Sequence, residues 1–273
     1  TSTVEIISLP DLKVLNSVNY AKTSTGNYYR HLEVAGNQLI VADRAFLRNG
    51  TLDSESFLKI IHLDNLASVD SVPIIMNAAI WAVAFANNRI FVSAGNLTQS
   101  ILVIDASTKA KIGEISLPGI CSEMLIDKNN NLLAFTRTRM MKFNTADLTL
   151  IKEWNLPSAQ INLNGQFSAR CNSSHALDTE ANVIYFLGVA AQPAPAPYLL
   201  YSYDLNAEVA TLLDANFLSG ETIAFDQRNK LIVIGDLGSP NSGGGSVRMI
   251  SPQGQVIAQF TLKNIPTKIL VQP

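Results

Sequence analysis

The fold is encoded most plainly at residues 101–115, which read ILVIDASTKAKIGEI. An apolar run ends at Asp105, a short polar turn follows, and a second strand-like run comes after it. Variants of this motif repeat at intervals of roughly 40 to 60 residues, beginning at Ile6, Lys59, Met140, Leu200 and Val247. A period of this length indicates stacked or radially arranged supersecondary units, not one irregular domain.

A second phrase precedes five of these copies and completes the unit. It is a hairpin whose turn carries Asn, Asp or Gly, the residues that best tolerate the positive φ of tight turns. It reads HLEVAGNQLIVADR from His31, WAVAFANNRIFVSAG from Trp81, EMLIDKNNNLLAFTR from Glu123, HALDTEANVIYFLGV from His175 and TIAFDQRNKLIVIGD from Thr222. Together the two phrases predict a four-stranded antiparallel meander, with strands A to D.

The count of these units predicts the architecture. Five complete meanders begin near Arg30, Ile80, Ser122, Ser174 and Glu221, which leaves an N-terminal hairpin (3–19) and a C-terminal strand (266–272). A ring of sheets protects its edges by building one blade from both termini. We therefore predict an all-β fold in a single domain over residues 1–273. It is a six-bladed β-propeller of four-stranded antiparallel blades, whose closing blade comes from both termini and has three strands.

Composition excludes several classes of function. The net charge of -2 and the pI near 5.9 give no electrostatic basis for binding nucleic acid. The longest apolar run, residues 183–191, is too short to cross a bilayer, so no transmembrane segment is expected. With 47% hydrophobic and 15% charged residues, the chain has enough apolar surface for a large core, and we expect a monomer.

The segment ILVIDASTKAKIGEISL, residues 101–117, resembles the repeat of the bacterial YVTN-type and YncE-like propellers. Asp64 and Asp204 stand at the same turn in two other copies. This resemblance implies a propeller and a cell-envelope or extracellular setting, but no shared active site. Because the chain opens with TSTVEII inside an expected strand, we expect a mature form whose export signal has been removed, in the periplasm or outside the cell.

Long connections collect on one face of the predicted disc. The A-to-B and C-to-D turns are short, whereas the B-to-C and D-to-A segments on the opposite face include long ones. These are residues 44–56, 188–198 and 235–246 between strands B and C, and residues 20–29 and 157–171 between strands D and A. The loop-rich face is therefore the expected functional face.

Alignment of the A strands places one residue from each blade at the channel mouth. The first ring is Arg30, Trp81, Ser122, Ser173, Glu221 and Thr267, and the next step is His31, Ala82, Glu123, Ser174, Thr222 and Lys268. Because strand side chains alternate, only one of the two can face the axis in a given blade. The predicted ligand-binding residues are Arg30, His31, Trp81, Glu123, Glu221 and Lys268.

Two interpretations of this ring stay open. In one, Arg30 and Lys268 hold an anionic group, Trp81 and Tyr29 stack on a ring, and His31 or Glu123 moves a proton. In the other, the groups pair with each other and with water at the channel entrance. His175 lies further along its A strand and is expected to be a core or inter-blade hydrogen-bonding histidine.

Catalytic motifs are missing: there is no Gly-x-Ser-x-Gly elbow and no pair of histidines at metal spacing. Four carboxylates match the metal ligands of six-bladed lactonases only weakly: Asp43, Glu123, Glu221 and Asp236. No metal or cofactor is predicted. We predict a non-catalytic exported or envelope protein that binds a protein, glycan or small ligand on its loop-rich face. The alternative is a hydrolase or lactonase at the channel mouth.

Structural criteria separate these two functions. An ordered metal on the axis, or a buried carboxylate of perturbed pKa in contact with His31, would favour the enzyme. An exposed apolar patch formed by Phe46, Leu47, Tyr198 and neighbouring loops would favour the binding protein. The two cysteines give a further test of an oxidising compartment. Cys121 and Cys171 align at the tops of adjacent A strands, where they either form a disulfide or stay two separate thiols.

Overall fold

A computed structural model describes most of the chain. The described residues are 2–7, 14–20, 31–43, 47–48, 51–52, 56–74, 79–95, 99–136, 139–155, 175–189, 198–217, 220–236 and 245–262. All regular structure in these ranges is β-strand, and they contain no helix long and apolar enough to cross a bilayer.

Five four-stranded antiparallel sheets form the blades. Blade 1 contains β3 (Leu32–Ala35), β4 (Gln38–Asp43), β7 (Ser56–His62) and β8 (Asn65–Ile74). Blade 2 contains β9 (Ala79–Ala86), β10 (Arg89–Gly95), β11 (Ser100–Asp105) and β12 (Lys111–Ser116). Blade 3 contains β13 (Glu123–Ile126), β14 (Leu132–Phe135), β15 (Arg139–Phe143) and β16 (Leu150–Asn155). Blade 4 contains β17 (His175–Asp178), β18 (Val183–Val189), β19 (Tyr198–Asp204) and β20 (Val209–Phe217). Blade 5 contains β21 (Gly220–Asp226), β22 (Leu231–Asp236), β23 (Gly245–Ile250) and β24 (Val256–Leu262).

The blades form a propeller whose inner strands follow one another around it. Strand β3 contacts β9, β9 contacts β13, β13 contacts β17, and β17 contacts β21. Each blade begins within two residues of the position predicted from its A-strand phrase, because the hairpin turns fix the register of the strands around them.

The predicted blade count is wrong. The described residues form five four-stranded blades, not six. The N-terminal hairpin, β1 (Ser2–Ile7) with β2 (Val14–Tyr20), is a two-stranded sheet of its own, and β2 lies against β8. The count of six came from combining the N-terminal hairpin and the C-terminal strand into one blade. In the described sheets, however, the two hairpin strands pair only with each other. The C-terminal leftover, residues 266–272, lies outside the described residues.

The core lies between the blades. In β11, Leu102 and Ile104 pack with blade 1, while Ile101 and Val103 pack with blade 3. Four such clusters join blades 1 to 2, 2 to 3, 3 to 4 and 4 to 5. Because neighbouring blades cover both faces of these sheets, central strands such as β11 and β14 are buried along almost their whole length, whereas outer strands such as β8 and β12 keep exposed polar positions.

The A-to-B and C-to-D turns are tight. Every positive φ among the described residues falls in one of these turns, in the list Gly36, Asn87, Asn88, Lys109, Asn130, Leu148, Asn182, Glu208, Lys230 and Gly254. An Asp at the end of a strand, or directly after it, stabilises the turn that follows. Asp105 accepts hydrogen bonds from the backbone N–H groups of Ser107 (2.9 Å) and Thr108 (2.7 Å), and Asp127, Asp178, Asp204 and Asp226 do the same in their own turns.

The connections confirm the predicted difference between the two faces. A-to-B and C-to-D turns have two to six residues, whereas B-to-C and D-to-A connections have up to 12 (44–55) and 19 (156–174). The first of these was expected to be a loop throughout. It contains a small hairpin, β5 (Leu47–Arg48) with β6 (Thr51–Leu52).

Candidate functional site

Among the described residues, a buried polar cluster joins the inner strands of blades 1, 2 and 3. His31, just before β3, accepts a hydrogen bond from the backbone N–H of Val83 at Nδ1 (3.0 Å). Its other ring nitrogen, Nε2, lies 2.7 Å from Glu123 Oε1. The side chains of His31 and Glu123 are only 7% and 2% exposed. One histidine therefore joins three blades inside the molecule.

These contacts fix the tautomer of His31. Nδ1 accepts the Val83 N–H, so it carries no proton, and the neutral ring must carry its proton on Nε2. That N–H points at Glu123 Oε1, which accepts it. A histidine N–H donated to an ionised carboxylate is a charge-assisted hydrogen bond, roughly twice as strong as a neutral one. The pair is thus a neutral imidazole bound to a glutamate.

The backbone around Glu123 is held from blade 2. The Cys121 thiol donates to the Glu123 carbonyl oxygen (3.1 Å), and the Ser93 hydroxyl of β10 donates to the Cys121 carbonyl oxygen (2.5 Å). Cys121 is a buried free thiol, so the structure agrees with the alternative of separate thiols, and the cysteines give no support to an oxidising compartment. Burial raises the pKa of this thiol to about 12. Cys171 lies outside the described residues.

His175, the first residue of β17, is a core residue between blades, as predicted. Its ring stacks on Phe135 of β14, with centroids 4.3 Å apart, and lies 6.1 Å from the ring of Phe186. Burial lowers the pKa of His175 to about 4, although the negative charge of Glu123 opposes the shift. The sequence left a core role and an inter-blade hydrogen-bonding role open, and these ring contacts are those of a core residue.

The predicted mouth residues divide into a buried and a more accessible set. His31, Ala82, Glu123 and Thr222, all from the second step of the A-strand alignment, are buried. Trp81 and Ser122, from the first step, are half-buried. The other predicted binding residues cannot be added to this cluster: Arg30 and Lys268 lie outside the described residues, and of Glu221 only the backbone, in β21, is described.

Two predictions for this region fall on undescribed side chains. The structure does not describe the side chains of Phe46, Leu47 and Tyr198, for which an apolar patch was predicted, or those of Asp43 and Asp236, which were considered as metal ligands. Within the described ranges, no group of three or more His, Cys, Asp or Glu residues is placed to hold a metal ion.

The cluster is better suited to structure than to proton transfer. The contact between His31 and a buried carboxylate is the one that favours an enzyme. However, both ring nitrogens of His31 are engaged inside the protein, so the imidazole reaches a substrate proton only by giving up one of these bonds. Sequence reasoning identified both partners of the pair, but it missed the Val83 amide. A backbone donor leaves no trace in the residue types.

The turn-bearing face is closed by bonds between neighbouring blades. Arg89 Nη1 of blade 2 donates to the carbonyl oxygens of Thr145 (2.6 Å) and Ala146 (2.7 Å) in blade 3. Between blades 4 and 5, Gln227 Nε2 donates to the Leu177 carbonyl oxygen (2.6 Å). Between blades 3 and 4, Lys152 Nζ pairs with Glu208 Oε1 (2.6 Å). Polar groups on this face therefore both stabilise their own turns and join neighbouring blades.

Comparison with protein families gives one match. A domain of unknown function, DUF5074, matches residues 13–227, which is most of the chain. The chain belongs to the DUF5074 family. Curated protein sequences give no match. The finer resemblance to YVTN-type repeats stays a prediction, because the family match does not name those propellers.

Solved structures support the fold of this DUF5074 protein. Kuenenia stuttgartiensis hydrazine synthase is similar with a TM-score of 0.64 and 11% identity, over 97% of this chain and 82% of that one. Kluyvelomyces marxianus Hsv2 is similar with a TM-score of 0.52 and 8% identity, over 85% of this chain and 64% of that one. At such identities the likeness concerns the fold alone.

Proposed function

We propose that this DUF5074 propeller is a non-catalytic binding module, exported or held in the cell envelope. It binds a protein, glycan or small ligand on the face that carries the long B-to-C and D-to-A connections. Rigid blades with variable loops on one face suit recognition, because the scaffold fixes the loop ends while the loops supply the contacts.

The observation that supports this function most is the state of His31. It is the only histidine among the predicted mouth residues, and both of its ring nitrogens are bound inside the protein. A general base needs a nitrogen within hydrogen-bond reach of the substrate proton. The cluster that most resembles an active site therefore serves to join blades 1, 2 and 3, and recognition is left to the loops.

Loop replacement tests this proposal. The purified protein is screened against a glycan array and a metabolite library, and each hit is then measured with three variants. In each variant one of the segments 45–50, 191–197 or 237–244 is replaced by Gly and Ser residues of equal number. Lys128→Ser, in the A-to-B turn of blade 3, is the matched control on the other face. We expect the affinity to fall at least tenfold, about 1.4 kcal/mol, in one or more loop variants and to stay unchanged in the control. Loss in Lys128→Ser alone would contradict the assignment of the face.

The buried His31–Glu123 pair gives specific support to a second function, a hydrolase or lactonase at the channel mouth. If the pair acts on substrate, Glu123→Gln should lower the hydrolysis of p-nitrophenyl acetate and of small lactones by about 100-fold, the usual scale for a lost acid or base. Equal, background-level rates in wild type and variant would rule out this use of the pair. Such a result leaves the binding proposal intact.

A further inference from the structure

The His31–Glu123 pair combines burial with a contact that fixes its protonation state. The ring accepts one hydrogen bond at Nδ1 and donates one at Nε2, and these two bonds reach blades 2 and 3 from blade 1. A second proton on the ring would have to go to Nδ1, since Nε2 already carries one. The protonated Nδ1–H would then face the Val83 N–H, and two donors cannot share a hydrogen bond.

We propose that His31 is a proton-sensitive latch: it joins the inner strands of blades 1, 2 and 3 while its ring is neutral, and it releases β9 when the ring takes up a second proton. The release is local. The imidazolium keeps its hydrogen bond to Glu123, and this contact becomes a full ion pair. The ring turns away from the Val83 amide. The device needs no ligand and is independent of the binding function proposed above.

Surrounding groups set the pH at which the latch opens. Ionised Glu123 favours the imidazolium, whereas the Val83 N–H and burial oppose it. Two other titratable groups among the described residues interact with Glu123. His175 of blade 4 feels the charge of its carboxylate, and the Cys121 thiol donates to its backbone carbonyl oxygen. Glu33 stands two residues further along β3. His175 has a pKa of about 4 and the Cys121 thiol a pKa of about 12, so both stay neutral between pH 5 and 8.

The first test uses the wild-type protein with 15N-labelled histidine. NMR at pH 8 should show His31 as the tautomer with hydrogen on Nε2, and a titration from pH 8 to 5 should show its second protonation. Over the same range, the protection factor of the Val83 amide against hydrogen exchange should fall by about tenfold or more, as expected for the loss of one buried hydrogen bond. A proton on Nδ1 at pH 8, or Val83 protection that does not change as the ring protonates, would overturn the proposal.

Variants separate the latch from general acid effects. His31→Asn keeps an acceptor oxygen close to the position of Nδ1 but does not titrate, so Val83 protection should become independent of pH. Glu123→Gln removes the carboxylate that favours the imidazolium, so opening should shift to lower pH. His62→Asn is the matched control, because His62 is a more exposed histidine, 3.3 Å from Asp70 within blade 1. Equal pH dependence in His31→Asn and His62→Asn would contradict the assignment.

Discussion

At the scale of single residues, His175 shows how burial sets a protonation state. Its ring is stacked on Phe135 and is buried between blades 3 and 4, where a charge loses most of its hydration. Burial therefore lowers its pKa from 6.5 to about 4. The unfolded chain takes up this proton at a higher pH than the folded protein does. Stability is thus fully present above pH 6.5 and is lost as the pH falls toward 4.

This gives a prediction for His175→Phe. A shift of this size corresponds to about 3 kcal/mol of stability lost between pH 6.5 and 4. Phenylalanine does not titrate and can keep the stacking on Phe135, so the variant should lose about 3 kcal/mol less than wild type over this range. Urea unfolding at pH 7, 5.5 and 4.5 measures the difference. An identical acid loss in His175→Phe and wild type would show that other groups cause it.

The contacts of His31 and His175 could be predicted only in part from the sequence. Alignment of the A strands placed His31 and Glu123 on the same step, in blades 1 and 3, and the structure brings His31 Nε2 to 2.7 Å from Glu123 Oε1. The alignment could not show that a backbone amide holds Nδ1, since strand sequences carry no sign of which N–H groups face a side chain. It also could not predict that His175 would stack on Phe135, because rotamers and ring contacts depend on packing between distant residues.

At the scale of elements, the turns carry more information than the strands. Asn, Asp and Gly predicted the turn positions well because these residues adopt the backbone conformations that turns need. Leu148 and Glu208 adopt positive φ without any such preference, at 65° and 59°. In both cases the backbone N–H closes the turn, since Leu148 donates to the Asn144 carbonyl oxygen (2.9 Å) and Glu208 to the Asp204 carbonyl oxygen (2.8 Å). The side chains contact the neighbouring blade. Leu148 Cδ1 lies 2.8 Å from where a Cβ on Gly113 would stand, and Glu208 bonds to Lys152 and Trp154.

Two turn glycines differ in their surroundings and so give a matched pair. Both have positive φ, 58° at Gly36 and 88° at Gly254. A Cβ on Gly36 would meet nothing within 4 Å, whereas one on Gly254 would stand 2.6 Å from the Leu213 carbonyl oxygen in blade 4. Gly36→Ala should cost about 1 to 2 kcal/mol, from the backbone alone.

Gly254→Ala should cost at least about 1 kcal/mol more, because a backbone oxygen cannot rotate away and the turn must shift off blade 4. Chemical unfolding of the two variants measures the difference. Equal losses would mean that blades 4 and 5 are not held by this contact.

At the scale of the whole molecule, the blades are joined by a repeated apolar interface. The repeat predicted the five meanders because each one must bury both of its faces against neighbours, and that requirement is visible as uninterrupted apolar strands such as β11. The number of blades was not predicted correctly. Closure of the propeller depends on which strands the two chain ends pair with. The sequences of two short apolar terminal segments do not determine those partner strands. The structure shows instead an N-terminal hairpin as a separate sheet beside β8.

Polar bonds between blades should contribute more to stability than polar bonds within a blade. Arg89 donates to two carbonyl oxygens of the neighbouring blade, whereas Arg139 is 44% exposed and pairs with Glu153 inside blade 3. Arg89→Met keeps most of the apolar stem but leaves the Thr145 and Ala146 carbonyls without this donor. It should cost about 1.5 to 3 kcal/mol, the range for hydrogen bonds to a charged group. Arg139→Met should cost less than about 1 kcal/mol, as exposed ion pairs do.

Equilibrium unfolding in urea gives both values from one experiment, since each variant removes one guanidinium and the same net charge. The m-value should stay the same in both, because the unfolded chains expose the same surface. A lower m-value in Arg89→Met would mean that blades 2 and 3 separate before the rest unfolds. The cooperative unfolding unit would then be smaller than the whole propeller. Equal stability losses in the two variants would instead show that the apolar interfaces alone hold the blades together.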